Sequence, residues 1–170
     1  PQIVGSNISP IDYIVQKPLS SFSEAFRALR TALTLSDVDN PPKVVLMTSA
    51  LPGDGKTTSA ISLARAAASA GGKILLLDCD LRHPSVHRVF DVQPETGIVE
   101  VLAGQSALED ALLTDEKSGL HYLPVKAGAA NPPDLLASQH FRELLERFRA
   151  AYDLVVIDSA PVLPVVDSKV

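Results

Sequence analysis

Val44-Val45-Leu46-Met47-Thr48-Ser49 runs straight into Ala50-Leu51-Pro52-Gly53-Asp54-Gly55-Lys56-Thr57, and an alanine-rich stretch from Thr57 to Ala70 follows. Four apolar residues at the start, two of them β-branched, read as a short buried strand. The alanine-rich stretch reads as a helix ended by Gly71-Gly72. A glycine loop between a strand and a helix turns backbone N–H groups and the positive end of the helix dipole toward an anion. A lysine at its end reaches the outer phosphates of a nucleotide. Gly53, Asp54, Gly55, Lys56, Thr57 and Thr58 are therefore candidate nucleotide-binding residues, with the Thr57 hydroxyl placed for Mg²⁺. The first glycine of the usual pattern is Ala50 here. An ordinary turn with a surface lysine is the alternative, and the order of strand, loop and helix argues against it.

Outward from this loop, short apolar runs alternate with helical segments, the pattern of a parallel sheet with crossover helices. Further strands are expected at Ile74 to Leu77, Leu120 to Pro124 and Leu154 to Ile157. Helices are expected at Gln139 to Ala151 and, in shorter pieces, at Ser85 to Phe90, Gly97 to Ala103 and Ala107 to Leu113. Upstream, Ser21-Phe22-Ser23-Glu24 has the form of a capping box, and Phe22, Phe26, Leu29 and Leu33 recur at helical spacing, so a helix should run from Ser21 to about Leu35. Residues 1–18, with Gly5, Pro10 and Pro18 and no sustained period, read as a linker or extended arm. The expected organisation is that arm followed by one α/β domain over 19–170, a P-loop NTPase with a mostly parallel sheet flanked by helices. Because the sequence starts at Pro1 and stops at Val170 just after an apolar run, it reads as a piece truncated at its C-terminal end.

Ligands of open parallel sheets bind beyond the carboxyl ends of the strands. Two strands end there in carboxylates: Ile74 to Leu77 leads into Asp78-Cys79-Asp80-Leu81-Arg82, and Leu154 to Ile157 leads into Asp158-Ser159-Ala160-Pro161. Asp158 has the setting of a Mg²⁺ ligand. Asp78 and Asp80, two apart, repel unless a cation or a proton lies between them, which suits a metal or a general base. Either one alone could instead cap the following turn. Arg82 is placed to hold phosphate or to pair with one of these aspartates. His83 and His87 have i,i+4 spacing but lack a third ligand, so a helix surface is the expected setting.

The bulk composition narrows the classes. The chain has 170 residues, 46% hydrophobic, enough for one packed core. Its 15 basic and 20 acidic residues give a net charge of -5, which offers no broad basic field and argues against a nucleic-acid partner. The single cysteine, Cys79, cannot form an internal disulfide and is expected to be a buried thiol in a reducing setting. No apolar stretch reaches the ~18 residues needed to span a bilayer.

Together, Ser49 to Thr58, Ile74 to Arg82 and Val155 to Pro161 resemble the Walker A, Walker A′ and Walker B motifs of the bacterial tyrosine kinases of exopolysaccharide and capsule assembly. Glu24-Ala25-Phe26-Arg27-Ala28-Leu29-Arg30 is similar to that family's E-x-x-R-x-x-R oligomerisation helix, and Asn131-Pro132-Pro133-Asp134-Leu135-Leu136 to its Asn-Pro loop ahead of a helix. The resemblance covers residues 18–170. It implies an ATP-dependent tyrosine autokinase in which Lys56 neutralises phosphate charge and Thr57, Asp78 and Asp158 arrange Mg²⁺. It also implies that Asp78 or Asp80 takes the proton of the attacking tyrosine. The partners it implies are further copies in a ring held through Glu24, Arg27 and Arg30, and a membrane polysaccharide co-polymerase segment in the same or a separate chain. That places the domain at the cytoplasmic face of the bacterial inner membrane. A positioning or partitioning ATPase shares the P-loop and the Asp-x-Asp, but Leu51 stands where such ATPases carry an extra lysine. A nucleotide-binding assembly domain without kinase activity is the other class to separate. Tyr13, Tyr122 and Tyr152 are scattered and do not resemble the family's tyrosine-rich tail.

Overall fold

The computed structural model describes residues 8–126 and 132–163. In chain order come α1 (Pro10–Gln16), α2 (Ser21–Leu35), β1 (Val44–Met47), α3 (Lys56–Ala68), β2 (Ile74–Cys79), α4 (Val86–Val89), α5 (Ile98–Leu102) and α6 (Leu108–Ala111). Then follow β3 (Leu113–Asp115), β4 (Leu120–Leu123), α7 (Pro132–Leu136), α8 (Gln139–Ala151) and β5 (Leu154–Ser159). The sheet order is β1-β5-β2-β4-β3. All pairings are parallel except β3 with β4. The last strand is thereby inserted between the first two, which brings the end of β5 beside the loop that leaves β1.

Alternation along the central strands feeds two cores. Ile74 and Leu76 of β2 and Val156 of β5 face a layer formed by α1, α2 and α3. Leu75, Leu77, Val155 and Ile157 face α5, α6 and α8 on the other side. Phe148 and Leu144 of α8 fill that second core, while Glu146 and Arg149 pair on its outer face. Cys79 is buried at the end of β2, and burial raises its thiol well above the usual range.

Several expectations need correction. Residues 10–16 form a helix where an extended arm was expected. Ser9 accepts the N–H of Asp12, Pro10 sits in the first turn, and Ile11 and Ile14 are buried, so a serine cap followed by proline was the signal. The cap of α2 is Ser20, not Ser21, since the Ser20 hydroxyl accepts the N–H of Ser23. Leu29 lies outside the α2 seam and is 40% exposed. Ser23, about 100° round the helix from Phe22, is buried because its hydroxyl donates to the Lys17 carbonyl at 2.8 Å, and the covered face turns that way. The helix expected over Ala107 to Leu113 stops at Ala111, and Leu113 opens the missed strand β3. Of the proposed Asn-Pro loop, Pro132–Leu136 is itself a short helix, and Asn131 lies outside the described residues. His87 lies on α4, whereas His83 precedes it in a bend.

Candidate functional site

The loop from Thr48 to Gly55 joins β1 to α3. Gly53 and Gly55 have φ of 85° and 84°, and a Cβ at either would meet nothing within 4 Å. Backbone conformation, not crowding, is what calls for glycine there. The first turn of α3 has neither a capping side chain nor an acidic residue, so its amides and dipole are left for an anion. Pro52, Gly53, Gly55, Lys56, Thr57 and Thr58 line one wall of a cavity, faced by Asp80, His83, Ser85, Val89 and Pro161. The segment after β5 is stitched to the loop: Val162 N–H donates to Ser49 at 2.9 Å and Leu163 N–H to Ala50 at 3.2 Å. Asp54 turns away from the cavity and accepts the N–H of Leu51 at 2.9 Å, closing the loop on itself.

Asp78 and Asp158 are register partners on β2 and β5. Both strands run two residues further than their apolar runs suggest, which carries these carboxylates into the buried layer at 0% exposure. Thr57 donates its hydroxyl proton to Asp158 Oδ2 at 2.6 Å. The other oxygen, Asp158 Oδ1, is buried without a hydrogen-bond partner, and Lys56 Nζ stands 3.6 Å from it. Lys56 instead donates to Asp80 Oδ2 at 2.8 Å, while Asp80 Oδ1 accepts the N–H of His83 at 3.0 Å. Asp78 spends its oxygens on backbone amides, accepting from Asp80 N–H at 3.3 Å and Val86 N–H at 3.2 Å.

Burial pushes the Asp78 carboxyl up to about 7; the Val86 amide opposes this and the Asp158 charge adds to it. Asp158 is also raised by burial, against the pull of Thr57 and Lys56. Two carboxylates, Asp80 and Asp158, thus share one ammonium while Asp78 lies buried behind them with no cation of its own, an arrangement that favours a proton or a cation. An orphaned carboxylate oxygen beside a hydroxyl fits Mg²⁺, which binds through one or two protein oxygens, substrate phosphates and water. Among the described residues no three His, Cys, Asp or Glu side chains gather into an all-protein metal cage.

The structure therefore brings together Gly53, Gly55, Lys56, Thr57, Thr58, Asp80 and Asp158. Asp78 lies behind the wall, with its oxygens committed to the chain. Arg82 is exposed and pairs with neither aspartate among the described residues. Sequence reasoning missed Ser85 and His83 as cavity residues. Their nearness to the Asp-x-Asp of β2, on the segment that must turn back over the P-loop, was the available signal. Glu24, Arg27 and Arg30 lie away from this cavity on α2, where Arg27 pairs with Glu24.

Comparison with known proteins agrees with this geometry. Residues 42–169 match a family model described as AAA domain. Over 166 residues the chain is 37% identical to tyrosine-protein kinase YwqD of Bacillus subtilis, covering 98% of this chain and 70% of that protein. The chain belongs to the bacterial tyrosine-kinase family. It is also 35% identical to the succinoglycan biosynthesis transport protein ExoP of Rhizobium meliloti, but spans only 20% of its length. Among solved structures, the chimerical protein CapA2B2 superposes with a TM-score of 0.87 at 32% identity, covering 94% of this chain and 70% of that one. The kinase domain of Escherichia coli ETK gives 0.84 at 34%, covering 94% and 62%. The septum site-determining protein MinD of Pyrococcus horikoshii, complexed with Mg-ADP, is further away, at 0.60 and 27% over 71% of this chain and 50% of that one. These neighbours share the P-loop NTPase fold, and the kinase-domain chains extend beyond the length matched here. No helix among the described residues is long and apolar enough to cross a membrane.

Proposed function

We propose that this chain is the ATP-binding domain of a tyrosine autokinase that regulates exopolysaccharide or capsule polymerisation and export. The observation that carries the reading against a positioning ATPase, which shares the P-loop and the Asp-x-Asp, is the stronger likeness to a kinase domain: a TM-score of 0.84 with ETK against 0.60 with MinD. At the site, Asp80 adds a carboxylate at the cavity wall, beside Lys56 at 2.8 Å, to the buried Asp158 that a metal requires. Phosphoryl transfer needs in-line positioning and charge stabilisation above all, with a carboxylate to receive the proton of the attacking hydroxyl. Lys56, the loop amides of Gly53 to Gly55 and the start of α3 hold the phosphates. Thr57 and Asp158 would hold Mg²⁺, which supplies charge neutralisation on the phosphates when bound. Asp80 is the base, because it faces the cavity and Asp78 does not; Asp78 fixes the turn that carries Asp80 and Ser85.

The acceptor tyrosine comes from outside this core. Tyr122 and Tyr152 are buried and their hydroxyls are raised above the ordinary range by burial, and Tyr13 packs against the core from α1. Delivery by a neighbouring copy fits a ring contacting through the Glu24, Arg27 and Arg30 face of α2. The likeness to ExoP supports a membrane co-polymerase segment as activator, and with it a site of action at the inner face of the bacterial membrane.

The test is phosphotyrosine on the full-length protein after incubation with Mg²⁺ and ATP, compared with Lys56→Met. Loss of the lysine should lower phosphotyrosine by roughly 10²-fold or more with the thermal midpoint little changed. Phosphotyrosine retained in Lys56→Met removes the P-loop from the mechanism. ATP hydrolysis without any phosphotyrosine in the parent overturns the kinase reading in favour of a positioning ATPase.

A further inference from the structure

Ser85 occupies the N-cap position of α4 yet makes no side-chain capping bond. Its hydroxyl is instead 3.0 Å from the Thr57 hydroxyl, 28 residues away in sequence. The two segments that meet there are both anchored. Asp80 Oδ1 accepts the N–H of His83, and Asp78 Oδ2 accepts the N–H of Val86, so the two aspartates pin the chain on either side of Ser85.

Proton counting at Thr57 gives the direction of this bond. A hydroxyl has one proton and two lone pairs. The Thr57 proton goes to Asp158 Oδ2 at 2.6 Å, and in the cation-binding state Asp158 is ionised and can only accept. Ser85 must then be the donor, and it occupies one of the two lone pairs on Thr57 Oγ1. A single lone pair is left on that oxygen. The chain of bonds from Ser85 to Thr57 to Asp158 fixes both the rotation of the Thr57 hydroxyl and the direction of the remaining lone pair, and successive hydrogen bonds reinforce each other. Both hydroxyl residues line the cavity.

We propose that Ser85 is a positioning residue for the cation site: by donating to Thr57 it holds that hydroxyl with its free lone pair ready for Mg²⁺. The proposal rests on the reading of Thr57 and Asp158 as the Mg²⁺ ligands. It differs from a merely structural tie between the turn and α3 in one measurable respect. A structural tie supports nucleotide binding equally with and without the metal, whereas a positioning residue supports only the increment that Mg²⁺ adds.

The experiment is calorimetric titration of the full chain with ADP, in Mg²⁺ and in EDTA, for the parent, Ser85→Ala, Ser85→Thr and Thr57→Ala. Ser85→Ala should raise the dissociation constant roughly five-fold in Mg²⁺, the worth of one ordinary hydrogen bond, and leave it unchanged in EDTA. Ser85→Thr, which keeps the hydroxyl, should restore parental affinity in Mg²⁺. The thermal midpoint of Ser85→Ala should fall by no more than the loss of one part-buried hydrogen bond, since no capping bond is lost with it. Equal weakening in both buffers, no weakening in either, or failure of Ser85→Thr to rescue would overturn the role. If Thr57→Ala loses the Mg²⁺ increment while Ser85→Ala keeps it, Ser85 alone is excluded. If Thr57→Ala keeps the increment, the cation reading of Thr57 falls and Ser85 with it.

Discussion

One helix, α3, carries two buried ionic clusters that solve the same electrostatic problem in opposite ways. At its first turn Lys56 faces Asp80 and Asp158, so two carboxylates share one cation, and a third, Asp78, lies close behind without one. In its third turn Arg65, only 2% exposed, holds Asp115 through two parallel bonds of 2.9 and 3.0 Å. The same guanidinium bonds the Ile11 carbonyl at 3.0 Å and Asp12 at 2.9 Å, and lies over the Phe90 ring at 5.1 Å. Lys117 adds a second cation on Asp12 at 3.0 Å, so this cluster is balanced at two of each sign. Its polar atoms are satisfied. The first cluster leaves Asp158 Oδ1 without a partner and the Asp78 and Asp158 carboxyls raised. A filled network ties α1, α3 and the β3-β4 hairpin together. An unfilled one at the ends of the parallel strands is suited to bind something.

The largest effect on stability should come from breaking the balanced cluster. Arg65→Met leaves Asp115 as a buried, uncompensated charge and removes a tie to α1, at a cost of about 3–5 kcal/mol. Urea unfolding should report it as a lower midpoint at an unchanged slope. Asp115→Leu combined with Arg65→Met should recover part of the loss, because no orphaned carboxylate remains on β3. A loss below ~1 kcal/mol for Arg65→Met would make the two clusters energetically alike and end the contrast.

The two ends of α3 also differed in how readily the sequence disclosed them. The P-loop, the Asp-x-Asp and the Walker B aspartate could be read because each follows a run of apolar residues at a strand end, where a carboxylate has a reason to lie. The four main strands and α2, α3 and α8 followed from the same periodicity. The Arg65 cluster was invisible: its members sit at positions 12, 65, 115 and 117, and nothing local marks an arginine within an alanine-rich helix as buried. The strand β3 was hidden for the same reason, being three residues long and held by a distant partner. α1 was missed although Ser9-Pro10 gave a cap signal, because scattered prolines and glycine dominated the reading of that stretch. Within the site, what could not be read was which side chains face the cavity. Asp78 and Asp80 are equivalent by spacing and separated only by the turn at residues 80–86.

Titration should sharpen the comparison next, with opposite signs at the two clusters. Asp78 rises from an ordinary value of 3.8 to about 7 in the folded chain. The folded state therefore binds more protons than the unfolded state between those values, and stability falls as pH rises through that window. The ceiling on this loss is about 4 kcal/mol for a shift of about three units, less whatever the neighbouring carboxylates share. Asp12 goes the other way. Burial acts against its charge, but the bonds to Arg65 and Lys117 prevail and lower it, so its contribution is present above 3.8 and is lost as pH falls below that value. Unfolding midpoints in EDTA should decline from about pH 4.5 to 7.5 in the parent and be flatter in Asp78→Asn. A parent profile that rises over this range would show that Asp78 is not held protonated.

The smallest effect on stability belongs to a third ionic group, the exposed stripe on α2, and there the size of the effect is itself the test. Arg27 pairs with Glu24 one helical turn away, and their side chains are 35% and 58% exposed. A pair of this kind is worth about 0.5 kcal/mol or less. Arg27→Glu together with Arg30→Glu should therefore shift the unfolding midpoint of the isolated chain very little and leave ADP affinity unchanged, since neither residue lines the nucleotide cavity. If this stripe meets a neighbouring copy, the same two substitutions put like charges across the interface, where a guanidinium fork would otherwise bind a carboxylate through two bonds. Assembly should then fail although folding does not. Sedimentation of the full-length protein reads the assembly, and phosphotyrosine formed between an ATP-competent copy and a Lys56→Met copy reads its consequence. Monomers with normal ADP binding and reduced transfer between copies are the expected result. Unchanged assembly would leave the stripe as an ordinary solvated face, and the ring would have to be held elsewhere on the molecule.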